Sequence, residues 1–299
     1  MDPMKEIVLI AAPSNLGLKE PAPGIEPGVK FLPAALDKAG FSKSIGVREQ
    51  LHVEPPPYSM QMDMASKIRN ADAISGYSKK LAAAIRVVIE QNKIPLVVGG
   101  DCSVMIGAGV ALKQKGNFGL FHLDGHTDYM GPGFSQTGGA AGMGLALVAG
   151  VGHKKLTNIE GLSPYIKEEN VFCVGNREYD PEYVELSLKS DMHYFDLDAI
   201  RKKGVAAVTT AFLRLVDEKK LDGFWIHLDV DVLNDEVMPC VDSRTRDGLW
   251  YDELKETLGP LLLSPYFTGM EITILDPTLD KEGIYTKRFI NEMAEVFKP

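Results

Sequence analysis

Short apolar segments alternate with amphipathic ones along this sequence, and this alternation is the feature that most constrains the fold. Strands that alternate with helices favour a parallel sheet covered by helices on both faces. Ligands of such sheets bind beyond the carboxyl ends of the strands, which directs the search for a site. The predicted strands are residues 6–11, 95–98, 118–123, 171–175, 193–197, 223–228 and 266–275. The predicted helices are residues 63–92, 181–189, 197–218, 251–262 and 281–297, with a further helix from about Ser103.

The composition is typical of a globular protein and excludes several classes of function. The chain has 299 residues, of which 45% are hydrophobic and 24% charged, with a net charge of −9. A negative surplus disfavours a nucleic-acid partner. No apolar run reaches the 18 or more residues that a membrane helix needs, and three cysteines are too few for a disulfide scaffold. We therefore expect one cytoplasmic domain over residues 1–299 that binds neither nucleic acid nor a membrane.

Three predicted strands end in residues that are costly to bury unless they are paired or bind a cation. In an extended chain, alternate residues point to one side. Asp124, His126 and Asp128 would therefore share a side, and so would Asp229 and Asp231. Carboxylates combined with imidazole suit divalent metals, and many carboxylates favour Mn²⁺ or a similar hard ion. The pattern predicts a metal site built from residues 99–103, 122–128 and 227–231.

These three segments resemble the metal-binding segments of the ureohydrolases, the family of arginase, agmatinase and formiminoglutamase. The resemblance covers nearly the whole chain and includes residues 12–17, 24–28, 175–181, 247–249 and 276–283. It implies a three-layer α/β/α sandwich with a mainly parallel eight-stranded sheet. It also implies a small-molecule substrate, two Mn²⁺ ions bridged by hydroxide, and a homo-oligomer that is a trimer or a hexamer.

The resemblance implies a ligand set and a mechanism. The implied ligands are Cys102, Asp124, Asp128 and Asp229 for one ion, and Asp124, His126, Asp229 and Asp231 for the other. Two cations on one water make a nucleophile at neutral pH, and this hydroxide would attack the carbon of an amidine or guanidine. Asp128 would orient the hydroxide and pass its proton to the leaving amine.

One metal position departs from the family pattern. Cys102 stands where the family usually has histidine. A thiolate is softer than imidazole and adds negative charge, so Zn, Fe or Co are alternatives to Mn²⁺, or the position binds weakly. The other interpretation of Cys102 is a small buried hydrophobe. His122 and His227, which precede the acidic residues on their strands, are interpreted as core or supporting residues rather than ligands.

The substrate end of the pocket matches arginase only in part. Ala141 falls where arginase has a proton-relaying histidine, and Met130 falls where an asparagine reads the substrate carboxylate. Thr137 is still able to donate a hydrogen bond, and Asp180 matches the acid near the substrate ammonium group. Arg244 would be able to bind a substrate carboxylate instead, although a solvated loop is the simpler interpretation of that segment.

The largest departure concerns the substrate itself. Ile274 occupies the position of the glutamate that clamps a guanidinium in the family. Loss of the partner of a buried charge costs about 2–5 kcal/mol. We therefore expect a metal-dependent hydrolase of a guanidino, hydroxyguanidino or formimino compound other than arginine. Two alternatives stay open. One is a mononuclear, deacetylase-like amide hydrolase that uses Asp124, His126 and Asp231, and the other is a metal-bound binding protein without turnover.

Overall fold

A computed structural model describes residues 5–131, 133, 135–178 and 180–298. Eight of its strands form one sheet in the order β2-β1-β5-β10-β9-β6-β7-β8, and every neighbouring pair is parallel. The remaining two strands, β3 and β4, form a separate antiparallel pair. The strands are β1 (Ile7–Ala12), β2 (Glu49–His52), β3 (Met62–Asp63), β4 (Ile68–Arg69), β5 (Ile94–Gly99), β6 (Gly119–Leu123), β7 (Val171–Asn176), β8 (His193–Asp196), β9 (Phe224–Asp229) and β10 (Phe267–Thr273).

Helices cover both faces of this sheet, which confirms the predicted three-layer α/β/α architecture. In the described ranges, no helix has both the length and the apolar character that a membrane span requires. The helices are α1 (Leu32–Lys38), α2 (Phe41–Ser44), α3 (Ala71–Glu90), α4 (Met105–Lys113), α5 (Gly144–Val148), α6 (Lys154–Thr157), α7 (Pro181–Lys189), α8 (Leu197–Lys203), α9 (Val205–Glu218), α10 (Tyr251–Leu262) and α11 (Ile284–Val296).

The predicted elements differ from the observed ones where local sequence and tertiary context disagree. Strand β2 was missed because Glu49–His52 contains a single apolar residue and owes its conformation to pairing with β1. The predicted helix over 197–218 is two helices, since Gly204 interrupts it with a positive φ of 85°. Helix α3 begins at Ala71 rather than at residue 63, because residues 62–69 form the small hairpin.

The two sides of each central strand supply two separate apolar cores. The core beneath helices α8 to α11 contains a group of aromatic rings centred on Phe212, which is fully buried. Its ring centroid lies 5.1 Å from that of Phe121 and 5.2 Å from those of Phe172 and Phe224. These edge-on contacts join a helix to three strands, so this ring fixes one helical layer on the sheet.

Four adjacent strands lie at the centre of the sheet, β5, β10, β9 and β6, and all but β10 carry a predicted metal-binding segment. All four run in the same direction, so their carboxyl ends meet at one edge. Residues 99–103 follow β5, residues 122–128 cover the end of β6, and residues 227–231 cover the end of β9. The topology therefore brings the three segments together, as the sequence pattern predicts.

We expect Phe212→Ala to lower the free energy of unfolding by about 3–5 kcal/mol, because the cavity it leaves is enclosed by other rings. The matched control is Phe31→Ala, since Phe31 is 49% exposed and its loss should cost no more than about 0.5 kcal/mol. Urea denaturation of both variants measures the difference. Equal losses for the two variants would contradict this account of the core.

Candidate metal centre

The backbone at the end of β5 places Cys102 at the centre of the site. Asp101 begins a short 3-10 turn over Cys102–Val104, and its side chain accepts a hydrogen bond from Ser103 N at 2.9 Å. The same carboxylate accepts hydrogen bonds from Gly17 N and from the Ser14 hydroxyl. These bonds satisfy a buried charge and fix the direction in which the Cys102 side chain leaves the turn.

Two groups of potential ligand atoms meet at this edge, and they share Asp124. The atoms within each group lie no more than 4.8 Å from one another, a spacing that suits ligands of one ion. The first group is Cys102, Asp124, Asp128 and His227, and the second is Asp124, His126 and Asp231. Five of the six residues predicted as metal ligands are thus members, and His227 is a member that the sequence interpretation treated as supporting.

Asp229, the sixth predicted ligand, lies against Cys102. The Cys102 thiol donates to Asp229 Oδ2 at 2.7 Å, and the hydroxyl of Thr273, at the end of β10, donates to the same oxygen at 3.4 Å. The other Asp229 oxygen accepts a hydrogen bond from Asp231 N at 2.8 Å. The carboxylate is therefore held at the boundary between the two groups.

The second group is stabilised by its surroundings. His126 Nδ1 lies 2.7 Å from Asp231 Oδ2, and Gly125 N donates to Asp231 Oδ1 at 2.9 Å. The buried Arg177 side chain donates to the backbone oxygen of Asp231 at 2.6 Å. A β-carbon on Gly125 would lie 2.8 Å from the backbone oxygen of Asp231 and 2.3 Å from an Arg177 guanidinium nitrogen, so the absence of a side chain allows this close approach.

A row of polar side chains lies one layer below the carboxylates. His227 pairs in register with His122 on β6 and with Glu271 on β10, and all three are fully buried. The two imidazoles stack with centroids 4.7 Å apart and planes 10° apart, matching the spacing of neighbouring strands. His227 Nδ1 lies 2.7 Å from Glu271 Oε1.

The electrostatics of the site favour bound cations. Burial and the charge of Asp231 raise the pKa of Asp124 to about 6. Burial and the nearby carboxylates likewise raise the pKa values of Asp128, Asp229 and the Cys102 thiol. Burial alone would raise the pKa of Asp231 as well, but the positive charge of His126 outweighs it and lowers that pKa. Anionic forms of these groups repel each other at close range, so divalent cations would stabilise them.

The unpaired atoms of the site fit such cations. Within the described part of the chain, Asp124 Oδ2, Asp128 Oδ2 and His227 Nε2 are buried and have no hydrogen-bond partner. Buried polar atoms without partners are rare and call for an explanation. Carboxylate oxygens, imidazole nitrogen and sulfur together form a donor set that binds divalent metals.

A cavity of about 400 Å³ opens above these residues, which is a suitable size for a small molecule. Its wall includes most of the predicted metal ligands, namely Cys102, His126, Asp128, Asp229 and Asp231. Several predicted substrate positions line it too. They are Thr137, Met130, Ala141 and Ile274.

Two predicted substrate-binding residues lie elsewhere in the structure. Asp180 is exposed, and its side chain caps α7 by accepting from Glu182 N at 3.0 Å. Arg244 is exposed and forms a two-pronged ion pair with Asp235, with distances of 2.7 and 2.8 Å. Neither is among the described residues that line the cavity. Their roles in substrate binding stay predictions.

The sequence interpretation missed other polar residues that line the cavity. Glu178 accepts hydrogen bonds from the backbone nitrogen of Thr127, at 3.1 Å, and from its hydroxyl, at 3.2 Å. Lys19, Tyr183 and Asp242 also contribute to the wall. Glu178 lies two residues before Asp180, and Asp242 two before Arg244. The cavity wall therefore includes side chains from the segments that contain Asp180 and Arg244, but not those two side chains themselves.

Two residues of this site have a strained backbone. Asp128 has a φ of 47° and Ile274 a φ of 119°, values uncommon for residues other than glycine and unfavourable for a β-branched one. Such conformations persist only where the surrounding structure fixes them, and they cluster at functional sites. Here they direct Asp128 and Ile274 into the cavity wall.

Comparison with known proteins agrees with this geometry. The family model for the arginase family matches residues 5–297. An arginase from Brevibacillus brevis is 30% identical over 298 residues, which cover 98% of each chain. The solved arginase of Bacillus caldovelox superposes with a TM-score of 0.88 at 27% identity, with 99% of each chain covered.

A more distant solved structure shares the fold alone. The formimidoylglutamase of Bacillus subtilis superposes with a TM-score of 0.71 at 22% identity, covering 98% of this chain and 86% of that one. The family model and the relatives with greater identity extend over nearly the whole chain, including every segment of the candidate centre. The chain therefore belongs to the arginase family, whose members hydrolyse C–N bonds of linear amidines.

Proposed function

We propose that this enzyme hydrolyses a linear amidine other than arginine, with two divalent cations bound at the candidate centre. The observation that carries the proposal is the pair of ligand groups joined at Asp124, on the wall of a cavity that also contains Ile274. Carboxylate ligands favour Mn²⁺. The sulfur of Cys102 makes Zn, Fe or Co the alternatives.

Bound divalent cations would lower the pKa of a coordinated water and so provide a nucleophile at neutral pH. Asp128 would bind an ion through one carboxylate oxygen, and its other oxygen would accept a proton from the attacking water and deliver it to the leaving amine. The side chain reaches the cavity, and its Oδ2 has no hydrogen-bond partner among the described residues. Ala141 offers no second proton carrier, so Asp128 would carry out both transfers.

The wall of the cavity supports a substrate that differs from arginine. Ile274 is 5% exposed and presents hydrocarbon where a guanidinium would need a carboxylate. Met130 is a weak hydrogen-bonding group for a substrate carboxylate, whereas the Thr137 hydroxyl is able to donate. We propose Thr137 as a substrate contact, with Asp180 and Arg244 as contacts that would require movement of their loops.

A mononuclear amide hydrolase is the second candidate. Asp124, His126 and Asp231 have ligand atoms within 4.8 Å of one another and would hold one Zn²⁺ without Cys102. Elemental analysis after loading separates the candidates, because one tightly held Zn²⁺ per chain favours this one and two Mn²⁺ favour the first.

We also propose a single domain, a cytoplasmic location and a homo-oligomer. The sheet joins strands that span residues 7 to 273, which supports one domain over 1–299. All three cysteines are buried and unpaired, as is usual in a reducing compartment. The trimer or hexamer rests on the family resemblance.

Metal binding should stabilise the fold. Mn²⁺ at 100 times its dissociation constant should raise the free energy of unfolding by about 2.7 kcal/mol for each site. Asp124→Asn should remove most of this gain because Asp124 belongs to both ligand groups. Thermal unfolding with Mn²⁺ and with chelator measures the effect, and Asp252→Asn, at a 94% exposed side chain, is the control. Unfolding temperatures that are insensitive to Mn²⁺ and to chelator would contradict the proposal.

Loss of the proposed proton carrier should slow turnover strongly. We expect Asp128→Asn to lower kcat by about 10²–10⁴, the usual contribution of general acid–base catalysis. The substrate panel contains guanidino, hydroxyguanidino and formimino compounds, assayed with Mn²⁺ and compared with Asp252→Asn. A parent enzyme that binds members of this panel without forming product would identify a binding protein instead.

Arginine should become a better substrate when the missing carboxylate is restored. Ile274→Glu would place a carboxylate in the cavity wall, and a hydrogen bond to a charged group contributes about 1.5–3 kcal/mol. The ratio of kcat/KM for arginine to that for the best panel substrate should rise roughly 10- to 150-fold. Ile274→Gln, which has the same shape without charge, is the control. A parent enzyme that prefers arginine to the rest of the panel would show that position 274 does not select the substrate.

A further inference from the structure

The buried row Glu271–His227–His122 is not explained by the proposed reaction. Three ionisable side chains lie side by side in the centre of the sheet, each with 0% exposure. Burial of such groups is costly unless their polar atoms are satisfied. In the described structure, both ring nitrogens of His122 and Nε2 of His227 have no hydrogen-bond partner.

Both histidines place Nε2 near Asp124 Oδ2, at 3.4 Å for His122 and 3.7 Å for His227, but only His227 belongs to a ligand group. Only His227 also has a carboxylate on its second ring nitrogen, with Nδ1 2.7 Å from Glu271 Oε1. Histidines that bind metals almost always donate their second ring nitrogen to a carboxylate, a carbonyl or water. Glu271 is such a carboxylate. With the Nδ1 proton donated to Glu271, the lone pair of Nε2 is available to bind a metal ion.

The position of Nε2 agrees with this role. Two ligand atoms that are each about 2.0–2.2 Å from one ion are separated by no more than about 4.4 Å. The 3.7 Å from Nε2 to Asp124 Oδ2 falls within that limit. His227 also has a ligand atom within 4.8 Å of those of Cys102 and Asp128.

We propose that His227 is a ligand, through Nε2, of the ion held by Cys102, Asp124 and Asp128, and that Glu271 orients its ring. His227 thereby supplies an uncharged nitrogen donor from β9 to a position where residue 102 contributes sulfur. The inference rests on the proposed function in one respect, namely that a divalent ion binds at this centre. It does not depend on the identity of the substrate.

The test uses Co²⁺ loaded into the full-length protein, with proton NMR and elemental analysis as readouts. A ligating His227 would give a paramagnetically shifted N–H signal from Nδ1, and this proton should exchange slowly because it is fully buried beside Glu271. The N–H of His126, whose side chain is 20% exposed, should exchange quickly. His227→Gln should lose the slow signal and about one Co²⁺ per chain.

Two further variants make the result specific. His122→Gln changes a histidine with the same burial whose ring nitrogens form no hydrogen bond among the described residues and which belongs to neither ligand group, so it should keep both the slow signal and the Co²⁺ content. Glu271→Gln should keep the ligand but weaken Co²⁺ binding by about 10- to 100-fold. If His227→Gln fails to fold, the wild-type spectrum and Glu271→Gln still decide the question.

The outcomes separate this inference from the proposed function. Unchanged Co²⁺ content, affinity and spectra in His227→Gln would overturn the ligand role of His227 and leave the hydrolase proposal intact. A wild-type protein that shows the slow signal but hydrolyses no amidine would support the ligand and contradict the proposed function. A protein that retains no Co²⁺, Mn²⁺ or Zn²⁺ would overturn both.

Discussion

The constraint on which this structure depends is the negative charge buried at the carboxyl ends of two central strands, β6 and β9. Asp124, Asp128, Asp229 and Asp231 are each no more than 7% exposed, and their charges repel each other. A sheet is able to accommodate such a cluster only if positive charge compensates it. His126 and Arg177 compensate Asp231, but for Asp128 and Asp229 the neighbouring groups leave the pKa raised. This imbalance links the parallel fold directly to cation binding.

Much of the fold and the centre could be predicted from residue periodicity. Apolar runs identify the central strands because those strands are buried on both faces, and the two-residue repeat places Asp124 with Asp128 and Asp229 with Asp231. Strand β2 could not be found in this way, since an edge strand of mixed residues depends on its neighbour. The roles of residues in loops could not be predicted from periodicity either. Nothing in their spacing distinguishes Asp242, which reaches the cavity, from Arg244, which pairs with Asp235.

The role of His227 could not be derived from spacing for a different reason. The sequence shows that His122 and His227 each lie two residues before an aspartate, but not that β6, β9 and β10 are neighbours. Only the strand order 10-9-6 and its register place Glu271, His227 and His122 in one row. Long-range pairing therefore determines which histidine acquires a carboxylate at hydrogen-bond distance from Nδ1, and with it the chemistry of that side chain.

The negative charge of a thiolate at position 102 explains why an uncharged ligand such as His227 would be useful at this centre. Four carboxylates and a thiolate carry five negative charges against the four positive charges of two divalent ions, whereas a histidine at 102 would leave the charges balanced. Burial and nearby carboxylates raise the pKa of Cys102, so sulfur binds a metal only after losing a proton that its surroundings retain. An imidazole adds a strong donor and no charge. A nitrogen ligand from β9 would thus supply the uncharged donor that the family usually has at position 102. Glu271, which orients this ligand, is buried too far inside the sheet to enter the cavity.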